Sequence, residues 1–393
     1  MNKTLMILGA SILQVPAIEK AKEMGLKVVV LDLNPNAIGF SHKGIIKEVI
    51  STTDIPSAIE IAKKYKIDGV MTLASDMPVK TVAAVAKELN LVGVSLDTAN
   101  KTTDKSKMRK ALDKANVPIP SYFRVSNIDE LREAIKQMPS DFIIKPVDSS
   151  GSRGVIKVDN RKDVVNAYEY SKKQSRDGVV IVEEYMSGPE ISVETIAFNG
   201  VIHVIQITDK ITTGAPHYVE LGHTQPTRLE CIDEIKKVAI EANKALGILN
   251  GPSHTEIIVT EEGPKIVEVG ARLGGDCITT HLVPLSTGVN MVEACINIAL
   301  GKIPDVTATL NCGSAIRYFH QPIGKVSNII GLENAKQIPG VQQVNIVHGI
   351  GEEIGEIIDS NSRMGFVIAQ GKDSYEASQR AESAVKCITI QTL

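Results

Sequence analysis

A chain of 393 residues is too long for one ordinary core, so two or three domains are expected. Its 43% hydrophobic and 23% charged residues, with a net charge of −3, describe a folded globular protein that offers nucleic acid or an acidic membrane surface no electrostatic hold. A low aromatic content without Trp argues against stacking platforms for single strands, and the five cysteines (Cys231, Cys277, Cys295, Cys312, Cys387) have no C-x-x-C spacing, as expected of reduced thiols in the cytoplasm.

Met1–Val15 carries Lys3 and an apolar run, but Gly9, Ser11 and Gln14 interrupt it and no A-x-A site follows, so no signal peptide is expected. No stretch has the unbroken apolar length of a membrane span. Leu5–Leu8, Val28–Leu31, Val70–Leu73 and Leu91–Val94 read as buried strands separated by helical patterns at Ala17–Met24 and Ser57–Tyr65, the latter with Asp54 as its cap and Pro56 in its first turn. Such alternation predicts parallel β-α-β units in an open sheet. Gly9-Ala10-Ser11 with Asp32 has the look of a dinucleotide turn, yet G-x-G-x-x-G is missing and NAD is not expected.

Composition turns polar around Lys101–Lys107, marking a second domain. Met108–Ala115 is amphipathic and is stopped by Val117-Pro118-Ile119-Pro120; Ser126-Asn127-Ile128-Asp129 then resembles a capping box before the helix holding Leu131 and Ile135. Phe142–Lys145 is a strand leading into Asp148-Ser149-Ser150-Gly151-Ser152-Arg153-Gly154. A loop of small residues leaves backbone N–H groups free for phosphate oxygens while Lys145 adds positive charge; the alternative is an ordinary Ser/Gly turn. It is not a P-loop, because G-x-x-x-x-G-K-[ST] is absent. Val179–Tyr185 and Ile191–Phe198 are strands on either side of Ser187-Gly188-Pro189, with Glu183, Glu184, Tyr185 and Met186 at the first strand's end and Glu190 just after the turn. A strand edge there could read an adenine and a carboxylate could bind ribose hydroxyls, or these acids are simply solvated.

Helical spacing returns at Ile232–Leu246 and around Met291–Leu300, and the tail ends in an Ala-rich helix at Tyr375–Val385. Between them, Thr255–Thr260 and Lys265–Val269 flank Glu261-Glu262-Gly263-Pro264. A three-residue loop Glu261–Gly263 pairs Ile258 with Ile266 and sets Glu256 opposite Glu268. Like charges directly opposed on a sheet are destabilising, which favours a cation between them, and two oxygen ligands suit Mg²⁺. A shifted register would instead leave both as solvated surface charge.

In this order, these segments resemble the ATP-grasp superfamily over nearly the whole chain, most specifically between Lys105 and Arg272. The resemblance implies an α/β protein with a Rossmann-like domain (1–100), a two-lobed α+β ATP-grasp core (101–305) and a small C-terminal α+β domain (306–393). It implies ATP and Mg²⁺, one or two ions, with Mn²⁺ able to replace it. Lys105 and Lys145 would be the nucleotide lysines; Ser150, Gly151, Ser152 and Gly154 the closing loop; Glu183–Met186 the adenine hinge and Glu190 the ribose carboxylate. Glu256 and Glu268 would hold metal, and Arg272 would meet the transferred phosphoryl group. One position departs: where the family often has Asn, this chain has Gly270, so the number of metal ions is open.

Pro216–His223 and Arg272-Leu273-Gly274-Gly275-Asp276 look like bacterial L-amino-acid ligases. That resemblance implies that His223 helps stabilise a tetrahedral oxyanion and that the glycine pair borders the amino-acid pocket. The implied reaction joins a small-molecule carboxylate to an amine through an acyl phosphate, with no nucleic acid and no membrane involved; a homodimer is compatible with it. Rival readings are a purine-pathway or biotin-carboxylase-like enzyme activating formate or bicarbonate, a dehydrogenase, and a non-catalytic nucleotide-binding module.

Overall fold

The structure, a computed structural model, describes residues 3–215 and 217–393. Met1, Asn2 and Pro216 lie outside the described residues, so the first positions of the Met1–Val15 and Pro216–His223 segments are not described.

Four parallel strands open the chain: Thr4–Leu8, Lys27–Asp32, Ile46–Val49 and Gly69–Thr72, in spatial order third, second, first, fourth. Successive side chains leave opposite faces. Leu5 and Ile7 pack with Ile18, Ala21 and Ile296, whereas Met6 and Leu8 pack with Ala58, Ala62 and Val85. Both faces are therefore covered, which is why the strands read as unbroken apolar runs. Asp54 caps the Ile55–Tyr65 helix, accepting from the Ser57 N–H at 3.2 Å, with Pro56 in the first turn as expected. Leu91–Val94, expected as a strand, pairs with nothing in this sheet. Val92 packs on one core and Val94 on another, so burial without a ladder explains its apolar pattern. The place of a fourth strand is taken by Ile46–Val49, whose half-exposed sequence carries little apolar signal.

A second, antiparallel sheet has the spatial order Tyr122–Val125, Val180–Glu184, Phe142–Pro146, Ile156–Val158. The helices Ile128–Gln137 and Val164–Lys173 cover it through Leu131, Ala134, Ala167 and Tyr168. The cap of the first helix is Asn127, not Ser126: its side chain accepts from the N–H groups of Asp129 and Glu130, and Glu130 reaches back to the Ser126 N–H at 2.7 Å. Glu130 thus bonds the N–H before the cap and not the cap's own, so the expected capping box is not closed.

The largest sheet has eight antiparallel strands in the order Gly263–Gly270, Gly251–Thr260, Glu190–Phe198, Val201–Thr212, Glu220–Gln225, Gly313–Tyr318, Gly365–Gly371 and Val341–Ile346. Strands from both sides of residue 305 thus share one sheet. The bent apolar pair Ile278–Thr287 and Met291–Ala299 is mostly buried, and among the described residues no single helix is long and apolar enough to cross a membrane. Met291–Ala299 covers one face of the N-terminal parallel sheet, which ties the beginning of the chain to the wall of the largest sheet.

Candidate functional site

A cleft lies between the four-stranded antiparallel sheet and the edge of the eight-stranded one. Of the residues singled out from sequence, Lys105, Lys145, Ser150, Gly151, Ser152, Glu183, Glu184, Tyr185, Met186, Glu190, Glu256, Glu268 and Arg272 line it. Gly154 and His223 do not.

The loop after Phe142–Pro146 turns through left-handed backbone at Gly151, Ser152 and Gly154. Gly154 faces away from the cleft: a Cβ there would lie 2.7 Å from Pro146 Cγ and 2.8 Å from Gln174 Cβ. It is not among the residues lining the cleft, and glycine at this point serves close packing at the loop's base. Lys105 Nζ donates to the Ser149 carbonyl at 2.6 Å, and Ser152 Oγ donates to the Tyr218 carbonyl at 3.3 Å, so both flanks of the loop are anchored.

Lys145 is buried, with Nζ 2.7 Å from Glu183 Oε2, and Arg109 Nε donates to Glu183 Oε1 at 2.7 Å. Burial alone would raise the Glu183 carboxyl, but Arg109 and Lys145 draw it down to about 2. Burial holds the Lys145 ammonium below its ordinary value despite Glu183, with Arg109 and Lys105 adding to the effect. The Glu183 side chain is therefore the counter-charge of a lysine. In the same strand end, the N–H groups of Glu184 and Tyr185 already meet the carbonyls of Ser121 and Asp141, so those two N–H groups are not offered to a ligand at the hinge.

Glu256 stands directly opposite Glu268, as the hairpin reading predicts, but by another route. The turn has two residues, Glu261-Glu262, so Ile258 pairs with Lys265 and Ile257 with Ile266. A bulge at Val267 then shifts the register by one and restores the Glu pair. Each carboxylate has a cation beside it. Lys105 Nζ is 2.8 Å from Glu268, and Lys210 Nζ is 3.2 Å from Glu256, 2.6 Å from Glu190 and 3.7 Å from Glu220. His254 completes the shell, with Nε2 3.4 Å from Glu256 and Nδ1 2.6 Å from the buried Glu194. Burial would raise the Glu256 carboxyl, yet Lys210 and His254 hold it well below the carboxylate range.

Among the described residues no group of three or more His, Cys, Asp or Glu side chains is arranged to hold a metal. The protein would supply two carboxylates, both about a quarter exposed and both on the cleft wall. That donor set fits Mg²⁺ or Mn²⁺, which keep several positions for water and phosphate, and does not fit a fully protein-ligated metal.

Arg272 faces the cleft with its guanidinium forked onto Asp76: Nε to Oδ1 at 2.8 Å and Nη2 to Oδ2 at 3.3 Å. Asp76 follows the carboxyl end of the Gly69–Thr72 strand, where ligands of open parallel sheets gather. His223 is buried behind the wall, its Nε2 3.3 Å from Asp276 Oδ2, and Asp276 in turn accepts two bonds from Arg363 at 2.7 and 2.8 Å. The geometry thus gives His223 a carboxylate partner and separates it from the cleft surface.

Sequence reasoning missed Arg109, Lys210, Glu194 and Asp76. Lys210 left a signal: Asp209-Lys210 breaks the apolar alternation of Val204–Ile211. Asp76 left another, as an acid just past a strand end. Arg109 on an amphipathic helix left none.

Residues 137–280 match the ATP-grasp domain family, and residues 317–392 match the L-amino acid ligase C-terminal domain 2. The chain is similar to phosphoribosylamine–glycine ligase of Methanothermobacter thermautotrophicus, 26% identical across 75% of this chain and 72% of that one. It is equally similar to alanine–anticapsin ligase of Bacillus subtilis, 26% identical across 70% of this chain and 62% of the relative. Its fold matches that of an L-amino acid ligase from Bacillus licheniformis with a TM-score of 0.87, covering 100% of this chain and 99% of the other at 24% identity.

Proposed function

We propose that this chain, an ATP-grasp ligase, transfers the γ-phosphoryl group of ATP to the carboxylate of an amino acid and joins the acyl phosphate to an amine. One arrangement carries the reading: Lys105, Lys145, the opposed Glu256 and Glu268, and Arg272 converge on a single cleft beside a loop of small residues.

In the first step a substrate carboxylate oxygen attacks the γ-phosphorus and the bond to the β-phosphate oxygen breaks, releasing ADP. Lys145 and Lys105 offset phosphate charge, and the N–H groups of Ser150–Ser152 surround the phosphate oxygens. A divalent cation bound at Glu256 and Glu268 would neutralise charge on the β- and γ-phosphates. In the second step an amine attacks the acyl carbon, the carbon–oxygen bond to phosphate breaks, and the amine loses a proton. Arg272, fixed in direction by Asp76, faces the charge that develops on the phosphoryl oxygens. The likeness to L-amino acid ligases supports an amino-acid carboxylate; the likeness to phosphoribosylamine–glycine ligase supports a phosphoribosylamine-type amine as the second reading.

A screen of ADP and phosphate release against pooled amino acids, with formate and bicarbonate as separate arms, tests the proposal. ADP release that needs an amino acid and an amine supports it. Release with formate or bicarbonate alone moves the chain to the carboxylate-activating purine or carboxylase enzymes, and AMP with pyrophosphate replaces the acyl phosphate by an adenylate.

A further inference from the structure

Neither carboxylate of the opposed pair is bare, and the groups covering them are lysines that also face the cleft. Lys105 divides its ammonium between Glu268 at 2.8 Å and the Ser149 carbonyl at 2.6 Å, at the root of the phosphate-facing loop. Lys210, only 3% exposed, sits among Glu190, Glu220 and Glu256 on one wall of the same cleft. A buried ammonium is tolerated only while it keeps a counter-charge. A cation entering at Glu256 and Glu268 therefore competes with both lysines for the same oxygens.

We infer that Lys105 and Lys210 are exchange counter-ions. In the ligand-free cleft they neutralise Glu268 and Glu256; when a divalent cation arrives with a polyphosphate, the cation takes the carboxylates and the two ammonium groups turn to phosphate oxygens. The inference rests on the proposed function only in taking Glu256 and Glu268 as the metal carboxylates. It adds Lys210, which no sequence pattern assigned, to the residues that touch the nucleotide's phosphates. Metal alone must draw Glu268 from Lys105, which keeps only the Ser149 carbonyl, and Glu256 from Lys210, which keeps Glu190 and Glu220 but then faces the metal's charge. Polyphosphate alone brings negative charge to carboxylates that still hold the lysines. Together the two ligands leave every charge paired, so each must strengthen the other's binding, reciprocally.

Equilibrium binding of Mn²⁺, read from its free EPR signal, tests this on the full chain with and without a non-hydrolysable ATP analogue. In Lys210→Met, Mn²⁺ alone should bind at least about tenfold tighter, because a competitor for Glu256 is gone. The analogue, at saturating Mn²⁺, should bind at least about tenfold weaker, because a phosphate partner is gone. Lys210→Arg should keep the weak metal binding of the parent. Should Lys210→Met fail to fold, Lys105→Met makes the same demand at Glu268, with the same opposite signs. Shifts of one sign in both arms, or no shift in either, would make the lysines structural and overturn the exchange while leaving the metal site in place. A parent protein that binds no Mn²⁺ even with the analogue would overturn the metal reading and the exchange together.

Discussion

Lys145 keeps its place beside the cleft because Glu183, from the neighbouring strand, supplies its counter-charge and is itself braced by Arg109. Lys145→Met keeps most of the apolar stem and removes the ammonium. ATP affinity, measured by calorimetry, should fall at least about tenfold, roughly 1.4 kcal/mol. Adenosine should bind the variant as it binds the parent; equal losses for both would mean a misfolded site. Glu268 behaves less simply. Considered only as one of two opposed carboxylates, its change to Gln would relieve repulsion and leave stability unchanged or raised. With Lys105 at 2.8 Å and 8% exposed, the same change strips a buried lysine of its partner. Glu268→Gln should therefore lower ligand-free stability by about 1–2 kcal/mol in urea unfolding and also weaken Mg²⁺-dependent turnover. Unchanged stability would show that Lys105 finds another partner at once.

At the scale of elements, the hairpin Gly251–Thr260 with Gly263–Gly270 shows how a correct pairing can follow from a wrong turn. The three-residue loop expected from Gly263 is a two-residue loop, and the bulge at Val267 supplies the missing step. A bulge leaves little trace in sequence, since any residue can be the extra one, so the Glu pair was legible while its path was not. The same strand ends at Gly270, whose φ lies outside the left-handed region. A Cβ there would stand 3.2 Å from Asp76 Oδ1 and 3.3 Å from Arg272 Cζ. Glycine at 270 thus leaves room for the Arg272–Asp76 fork. Gly270→Ala and Gly270→Asn should each lower turnover about tenfold at every Mg²⁺ concentration, a rise of roughly 1.4 kcal/mol in the barrier. A kinetic titration with free Mg²⁺ decides the matter: an Asn variant that saturates at lower Mg²⁺ with full turnover would restore the metal role.

Across the whole molecule, distant parts of the chain meet at the cleft wall. Asp76, after the N-terminal sheet, aims Arg272, and Arg363, from the C-terminal segment, holds Asp276 through two bonds and stacks 3.8 Å above the Tyr318 ring. Between them lies the buried pair of His254 and Glu194, for which Gly274 makes space: a Cβ at 274 would be 2.7 Å from His254 Nδ1. Burial disfavours the charged ring, but Glu194, helped by Glu256, outweighs it and pushes His254 from 6.5 up to about 9. A pKa raised on folding adds stability that is complete below the ordinary value and lost as pH rises through the folded one. The unfolding free energy from urea titration should therefore fall between pH 7 and 9.5, by an amount on the order of 1–2 kcal/mol, and the midpoint with it. Glu194→Gln should flatten that dependence. A parent midpoint that is level over this range would mean that His254 is neutral in the folded chain.

The order of segments along the chain was enough to read three of the four parallel N-terminal strands, the loop of small residues at the cleft, the acid-rich strand end and the opposed hairpin carboxylates. Each is a local pattern: an apolar run bounded by turn residues, a cluster of small residues, or two strands joined by a tight turn. The partners of those residues could not be read in this way. Lys210 meets Glu190, Glu220 and Glu256, Asp76 meets Arg272 across 196 positions, and Arg109 meets Glu183 across 74. Charge compensation of a buried group is satisfied by whichever opposite charge the packed sheets bring within about 3 Å, and no periodicity along the chain encodes that choice. The sequence alone therefore determined most of the residues that face the cleft, with Lys210 missed and Gly154 and His223 lying elsewhere; the tertiary structure decided what each of them is paired with, because the pairing depends on sheets closing over one another.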